Sequence, residues 1–283
     1  YRARKAIIVG DPKQVEPVVT DDLKLLKEAY AEPVFANYKN KSLSVQSCAD
    51  IINPFGTFYD NGTENPEWVG CPLLVHRRCI SPMYEISNRI SYNGMMKQQT
   101  LPPSDSKVAS FILEKSQWIN IIGIENGHGD HYVSEQGNEV CKMVNVAFQK
   151  AIEISGMQVD AKPNLYIITP FNSVVYGLRK AIGAYANKNK DSELAVSKSL
   201  GEWLYGNIGT VHKFQGKEAN EVIFVLGCDV SQKDRYAVKG FVNSNIVNVA
   251  ATRAKYRLYM IGNINAWEKN EYVNEAKSII DMF

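Results

Sequence analysis

Short runs of β-branched and aromatic residues alternate along this chain with longer stretches whose apolar positions recur every three or four residues. Ala6-Ile7-Ile8-Val9, Trp118 to Ile124, Leu165 to Ile168, Glu221 to Leu226 and Arg257 to Ile261 read as strands, because each is too short for a buried helix and rich in strand-forming residues. Between them, Ser134 to Ile154 places Val140, Met143, Val144 and Ala147 at i, i+3, i+4, i+7, which is one buried helix face. Further helices are predicted over about 21–31, where Asp21 and Asp22 favour the positive N-terminal end, and over about 44–52. Others run from Ser81-Pro82 to about Ile90, from Val174 to about Ala186 and from Ser244 to about Ala254. Strands separated by helices of this length pair in parallel through right-handed crossovers, so the fold class is α/β, a parallel sheet with helices on both faces.

Asn53 to Gly70 is rich in Gly, Pro and Asn and reads as a loop and a domain boundary, which divides the chain into 1–70 and 71–283. Gly123 to Gly137 reads as a polar loop, and Asn187 to Asp191 as a solvated surface turn. No internal repeat or low-complexity tract is present.

Composition narrows the class. With 45% hydrophobic and 22% charged residues in 283, the chain can build an ordinary globular core. No apolar run approaches the ~18–20 residues that span a bilayer, so the expected location is cytoplasmic and no membrane partner is expected. Five cysteines, odd in number and without a C-x-x-C pair, read as reduced core thiols. His128-Gly129-Asp130-His131 could supply metal ligands, but glycines at 127 and 129 suggest a loop too mobile for a rigid site, and no metal is expected there. A net charge of +2 leaves only local placement of charge to matter. The chain opens at Tyr1 and enters its first strand within a few residues, as a piece of something longer would.

The segment 210–227, TVHKFQGKEANEVIFVLG, contains a Gly-Lys pair before an apolar run. It is not a P-loop: Val211 fills the place of the first glycine, Glu218 follows the lysine, and a strand rather than a helix comes next. Several strands end in polar residues, Gly10-Asp11-Pro12-Lys13-Gln14, Thr169-Pro170-Phe171-Asn172 and Gly262-Asn263 among them. Open α/β sheets bind ligands at such carboxyl ends, and one shared rim is therefore expected.

Five segments then carry a resemblance. GDPKQVEP, LLVHRRCISPM, ITPFNSVV, TVHKFQGKE and VNVAATRAKYRLYMIGN resemble, in order and spacing, the later motifs of superfamily 1 helicases, in the group with Q-G-x-E and N-V-A-x-T-R-A. The Walker A loop and the acidic pair that precede these motifs in the family are absent from the chain. The resemblance thus implies the tail of a first RecA-like domain with connecting helices and loop, followed by a whole second RecA-like domain, and a fragment inactive as an ATPase alone. It implies ATP with Mg²⁺ as cofactor, held mainly by the absent part, and as partners single-stranded DNA or RNA and the missing first domain.

By the same resemblance Gln14 senses the γ-phosphate, and Arg78 and Arg253 reach it as arginine fingers, with Arg77 a live alternative to its neighbour. Asp11, Gly216 and Glu218 approach the nucleotide. Thr169, Asn172, Thr210 and His212 hold the nucleic-acid backbone, with Phe171 and Tyr176 as candidates for base stacking. A RecA-like module that has lost catalysis and only binds nucleic acid or a partner is the alternative.

Overall fold

The computed structural model describes residues 5–14, 23–29, 44–59, 64, 66–127 and 129–283. They fall into two compact units that divide between Leu74 and Val75, a few residues beyond the boundary expected at Gly70.

The first unit is small. A helix Leu23–Ala29 lies within the stretch expected to be helical, whose ends are outside the described residues. The helix Val45–Ile52 follows, opened by the Ser44 hydroxyl, which accepts from the Ser47 N–H as an N-cap does. The expected loop 53–70 contains two short strands, β1 (Thr57–Tyr59) and β2 (Glu67–Val69), paired antiparallel with Phe58 edge-on to Trp68. Three-residue strands are too short to show alternation, so the pattern missed them. The strand expected at Ala6 to Val9 is a correction: among the described residues it joins no ladder, and Ile7 and Val9 are 94% and 82% exposed.

The second unit opens with β3 (Val75–His76) beside β4 (Lys97–Gln98), and the helix Met83–Tyr92 lies between them. Its body is a five-stranded sheet of β5 (Gln117–Asn120), β6 (Leu165–Thr169), β7 (Ile208–Thr210), β8 (Ala219–Val225) and β9 (Ala254–Gly262). The strands lie in the order β5-β9-β8-β6-β7 and every pairing is parallel. Val222 to Val225 of β8 are all buried, as a central strand covered on both faces requires.

Helix Asn172–Lys188, with Val174, Leu178 and Ile182 buried, packs on β6 and β7 and against helix Ser134–Ile154, which buries Val140, Val144 and Phe148. The side chain of Asn243 accepts from the Ile246 N–H and starts the helix Ser244–Arg253, which runs without a break into β9. A last helix, Glu271–Met282, is capped by Asn270 in the same way. The fold is the α/β, RecA-like arrangement expected. Among the described residues no helix is long and apolar enough to cross a membrane.

Candidate nucleotide and nucleic-acid sites

The site residues of the second unit do not share one rim. In a parallel sheet, residues just before strands lie at the amino edge and residues just after them at the carboxyl edge. Glu218 precedes β8 and Arg253 precedes β9, whose first residues, Ala219 and Ala254, are paired. Thr169 and Thr210 instead end β6 and β7 and are paired with each other. The β6–β8 register puts seven residues of strand between the two levels, roughly 20 Å at the usual rise. Of the strand ends expected to share a rim, those at Thr169 and Gly262 both lie at the carboxyl edge, and the turn 211–218 carries its own motif from that edge to the other.

At the amino edge, Arg78 enters from a turn closed by His76. The Cys79 N–H donates to His76 Nε2 at 3.1 Å, with the Cys79 thiol 3.0 Å from the same nitrogen. An acceptor nitrogen means a neutral ring, and burial, then the charge of Arg78, holds His76 down at about 4. Arg77 faces outward to Gln99, at 3.3 Å, whereas Arg78 is half-buried and lies within electrostatic reach of Arg253. Ile80 N–H donates to the Lys255 carbonyl and pins this turn to the start of β9.

Arg253 is fully buried. Its Nε donates to Val249 O, its Nη1 to Phe214 O and Lys217 O, and its Nη2 to the Thr252 hydroxyl, so four of the five guanidinium N–H groups are engaged. Burial, then the neighbouring Arg78, lowers it to about 10, still charged at neutral pH. A side chain so occupied staples the motif loop in place in this conformation. Glu218 is exposed, and its carboxylate acts electrostatically on both Arg253 and Cys79. Gly216, at φ +82°, has open space where a Cβ would stand, so a ligand can approach its backbone closely.

The carboxyl edge differs. Thr169 is fully buried and its hydroxyl accepts from the Phe171 N–H at 3.4 Å, so it forms the turn and presents nothing to a ligand. Phe171 is buried as well, between His131 and Phe241, which removes it as a stacking surface. Asn172, His212 and Tyr176 are exposed and Thr210 is half-buried. Beside them Arg179 and Lys213 both donate to the Ile208 carbonyl, and burial, then Arg179 and Lys217, lowers the Lys213 ammonium. This basic group was missed because Arg179 and Lys213 lie on separate elements far apart in the sequence.

In the first unit, Asp11 closes its own turn. One carboxylate oxygen accepts from the Lys13 N–H at 3.0 Å and the other from Gln14 Nε2 at 3.1 Å.

A parallel α/β sheet thus carries clustered guanidinium groups at one edge and a basic, hydroxyl-bearing face at the other. A family model described as an AAA domain matches residues 58–265. The chain belongs to that family, and with it to the superfamily 1 helicases. It is similar to an uncharacterized ATP-dependent helicase, MJ0104, of Methanocaldococcus jannaschii, at 26% identity over 98% of the chain and 36% of that protein. It is also similar to helicase sen1 of Schizosaccharomyces pombe, at 21% identity over 96% of the chain and 14% of that protein. The chain thus spans little more than a third, and about a seventh, of the lengths of these two relatives.

Proposed function

We propose that this chain is the second motor domain of an ATP-dependent helicase, working with a first RecA-like domain that carries the phosphate-binding loop and acidic pair. One observation supports this above the rest: Arg78 and Arg253 lie within electrostatic reach of each other, Arg253 being lowered by burial and then by Arg78, with the exposed carboxylate of Glu218 beside them. An anion offsets the repulsion between two such charges, and Arg78 has the planar fork of donors that phosphate oxygens match.

The residues of this edge fit a nucleotide. Arg78 offers its charge to the terminal phosphate, the backbone at Gly216 allows close approach, and Glu218 can accept a bond from a ribose hydroxyl. ATP with Mg²⁺ supplies the scissile phosphoanhydride. Glu218 alone among these side chains is a carboxylate, so the ion belongs with the phosphates and the other domain. Gln14, set by Asp11, is the amide that senses the γ-phosphate. The exposed Ile7 and Val9 suit a strand of the first domain.

At the opposite edge Asn172, Thr210 and His212 grip the backbone of one strand of DNA or RNA, since hydroxyl and amide groups bond phosphate oxygens without reading bases. Closure of the two domains on nucleotide and reopening after hydrolysis would move that grip along the strand. The burial of Arg253 favours a second reading, a RecA-like module that binds without turnover. In the full-length protein, Arg78→Ala should lower strand-stimulated ATP turnover about a thousandfold while nucleotide still binds. Unchanged turnover, or no turnover in the wild type, selects the binding module.

A further inference from the structure

The loop after β5 and the turn after β8 meet in a group of side chains that neither edge uses. Glu125, His131 and Cys228 bring one carboxylate oxygen, one imidazole nitrogen and one sulfur within 4.8 Å of one another. Glu125 and His131 are 19% exposed or less at the side chain, and Cys228 is fully buried. Glu125 Oε1 lies 3.1 Å from His131 Nδ1, and the Cys228 sulfur lies within 4.8 Å of a ligand atom of each. The other carboxylate oxygen accepts from Gln232 Nε2 and the Gly129 N–H, each at 3.2 Å, which fixes the orientation of the carboxylate.

The backbone is built around this meeting. His131 and Cys228 are both left-handed, at φ 58° and 61°, a conformation that costs a side-chain-bearing residue roughly 1–2 kcal/mol. Cys228 N–H donates to His131 O at 2.9 Å, so the two unfavourable residues brace each other. Gly227 before them is also left-handed and is held by Gln136 Oε1 at its N–H and by Trp267 Nε1 at its carbonyl. Strained residues persist where their surroundings over-determine them, and such places are often ligand sites.

We propose that Glu125, His131 and Cys228 bind a divalent zinc-class cation, which clasps the 121–133 loop to the carboxyl end of β8. A carboxylate, an imidazole and a thiolate suit zinc, whereas Mg²⁺ and Ca²⁺ prefer oxygen alone. On binding, the sulfur–hydrogen bond is exchanged for a sulfur–metal bond and the thiol proton leaves to solvent. His131 stays neutral, ligating through Nδ1 with its proton on Nε2. Three protein ligands leave a fourth position for water. Gln232 and Gly129 then act on Glu125 from behind, as the outer partners of metal ligands do. The site is separate from the nucleotide edge, at the opposite ends of the same strands. It also differs from the His128 to His131 run, since two of its three ligands come from positions 125 and 228.

The test is cobalt titration of the chelator-stripped full-length protein in excess Mg²⁺. The expected result is one equivalent bound, with a thiolate-to-cobalt charge-transfer band that Zn²⁺ abolishes by displacement. Cys228→Ser should remove the band, Glu125→Gln should weaken binding about tenfold or more, and Cys71→Ser, at an exposed cysteine, should change nothing. Absence of the band in the wild type overturns the proposal, and that measurement does not depend on any variant folding. Persistence of the band in Cys228→Ser, or its loss in Cys71→Ser, overturns it equally.

Discussion

The guanidinium of Arg253 donates from Nη1 to the carbonyl of Lys217 at 3.0 Å, one residue before Glu218, and from the same nitrogen to Phe214 at 3.3 Å. The helix that ends at Arg253 therefore sets the shape of the loop beside it. Removing the side chain strands those carbonyls and leaves a cavity. Arg253→Ala should cost on the order of 3 kcal/mol, seen as a fall in Tm of roughly 10 °C. Half-buried Arg78 makes a useful contrast, since Arg78→Ala should shift stability by no more than about 1 kcal/mol. Thermal melts of both variants, measured beside ATP turnover, separate loss of structure from loss of chemistry. Equal melting of Arg253→Ala and wild type would remove the staple role.

Two left-handed glycines make opposite predictions. At Gly216 a Cβ meets nothing within 4 Å, so Gly216→Ala should cost only the backbone term, about 1–2 kcal/mol, and still fold. It should weaken nucleotide binding if the backbone there approaches a ligand. At Gly227 a Cβ would stand 2.3 Å from the His131 carbonyl, and Gly227→Ala should destabilise far more. Urea midpoints measure both, and similar midpoints for the two variants would contradict the geometry.

Buried Glu221 and His76 titrate in overlapping windows with opposite sign. Glu221 accepts from the Ile112 N–H at 2.8 Å and the Tyr259 hydroxyl at 2.6 Å, but burial raises it from 4.5 to about 7. A raised folded value means stability that is full below pH 4.5 and lost as pH rises through about 7, at most about 3 kcal/mol. His76 is depressed from 6.5 to about 4, so its contribution is full above pH 6.5 and lost as pH falls through about 4. In the wild type the two offset each other between roughly pH 4.5 and 6.5. Glu221→Gln keeps an acceptor oxygen and removes one of them, so stability should then rise with pH across that window. Urea denaturation at several pH values reads the slope, and parallel profiles for wild type and variant would show that Glu221 does not titrate as its burial requires.

The strands at Leu165, Glu221 and Arg257 were legible because a central parallel strand is apolar on both faces, and the helix Ser134–Ile154 because its spacing is long and regular. Strands β1, β2 and β7 were not, since three residues cannot establish a period. Thr169 and Phe171 looked accessible because a motif shows which residues turn at a strand end, not which way each one points. Glu125, His131 and Cys228 could not be grouped from spacing, because the third lies about a hundred residues from the others and only the β5-β9-β8 order brings it there.

Asn172 and Tyr176 are one helical turn apart and both exposed, Tyr176 by 70%, so they share a face at the carboxyl edge. If a single strand lies there, Tyr176 is the ring on which a base can stack, a contact worth about 1–3 kcal/mol. Tyr176→Ala should weaken single-strand binding about 5- to 150-fold with little change in salt slope, because it removes no charge. Phe171→Ala empties a site between His131 and Phe241 and should cost about 3 kcal/mol of stability. Fluorescence anisotropy at several salt concentrations, with thermal melts alongside, tests the pair. Full affinity in Tyr176→Ala would move the strand away from this face.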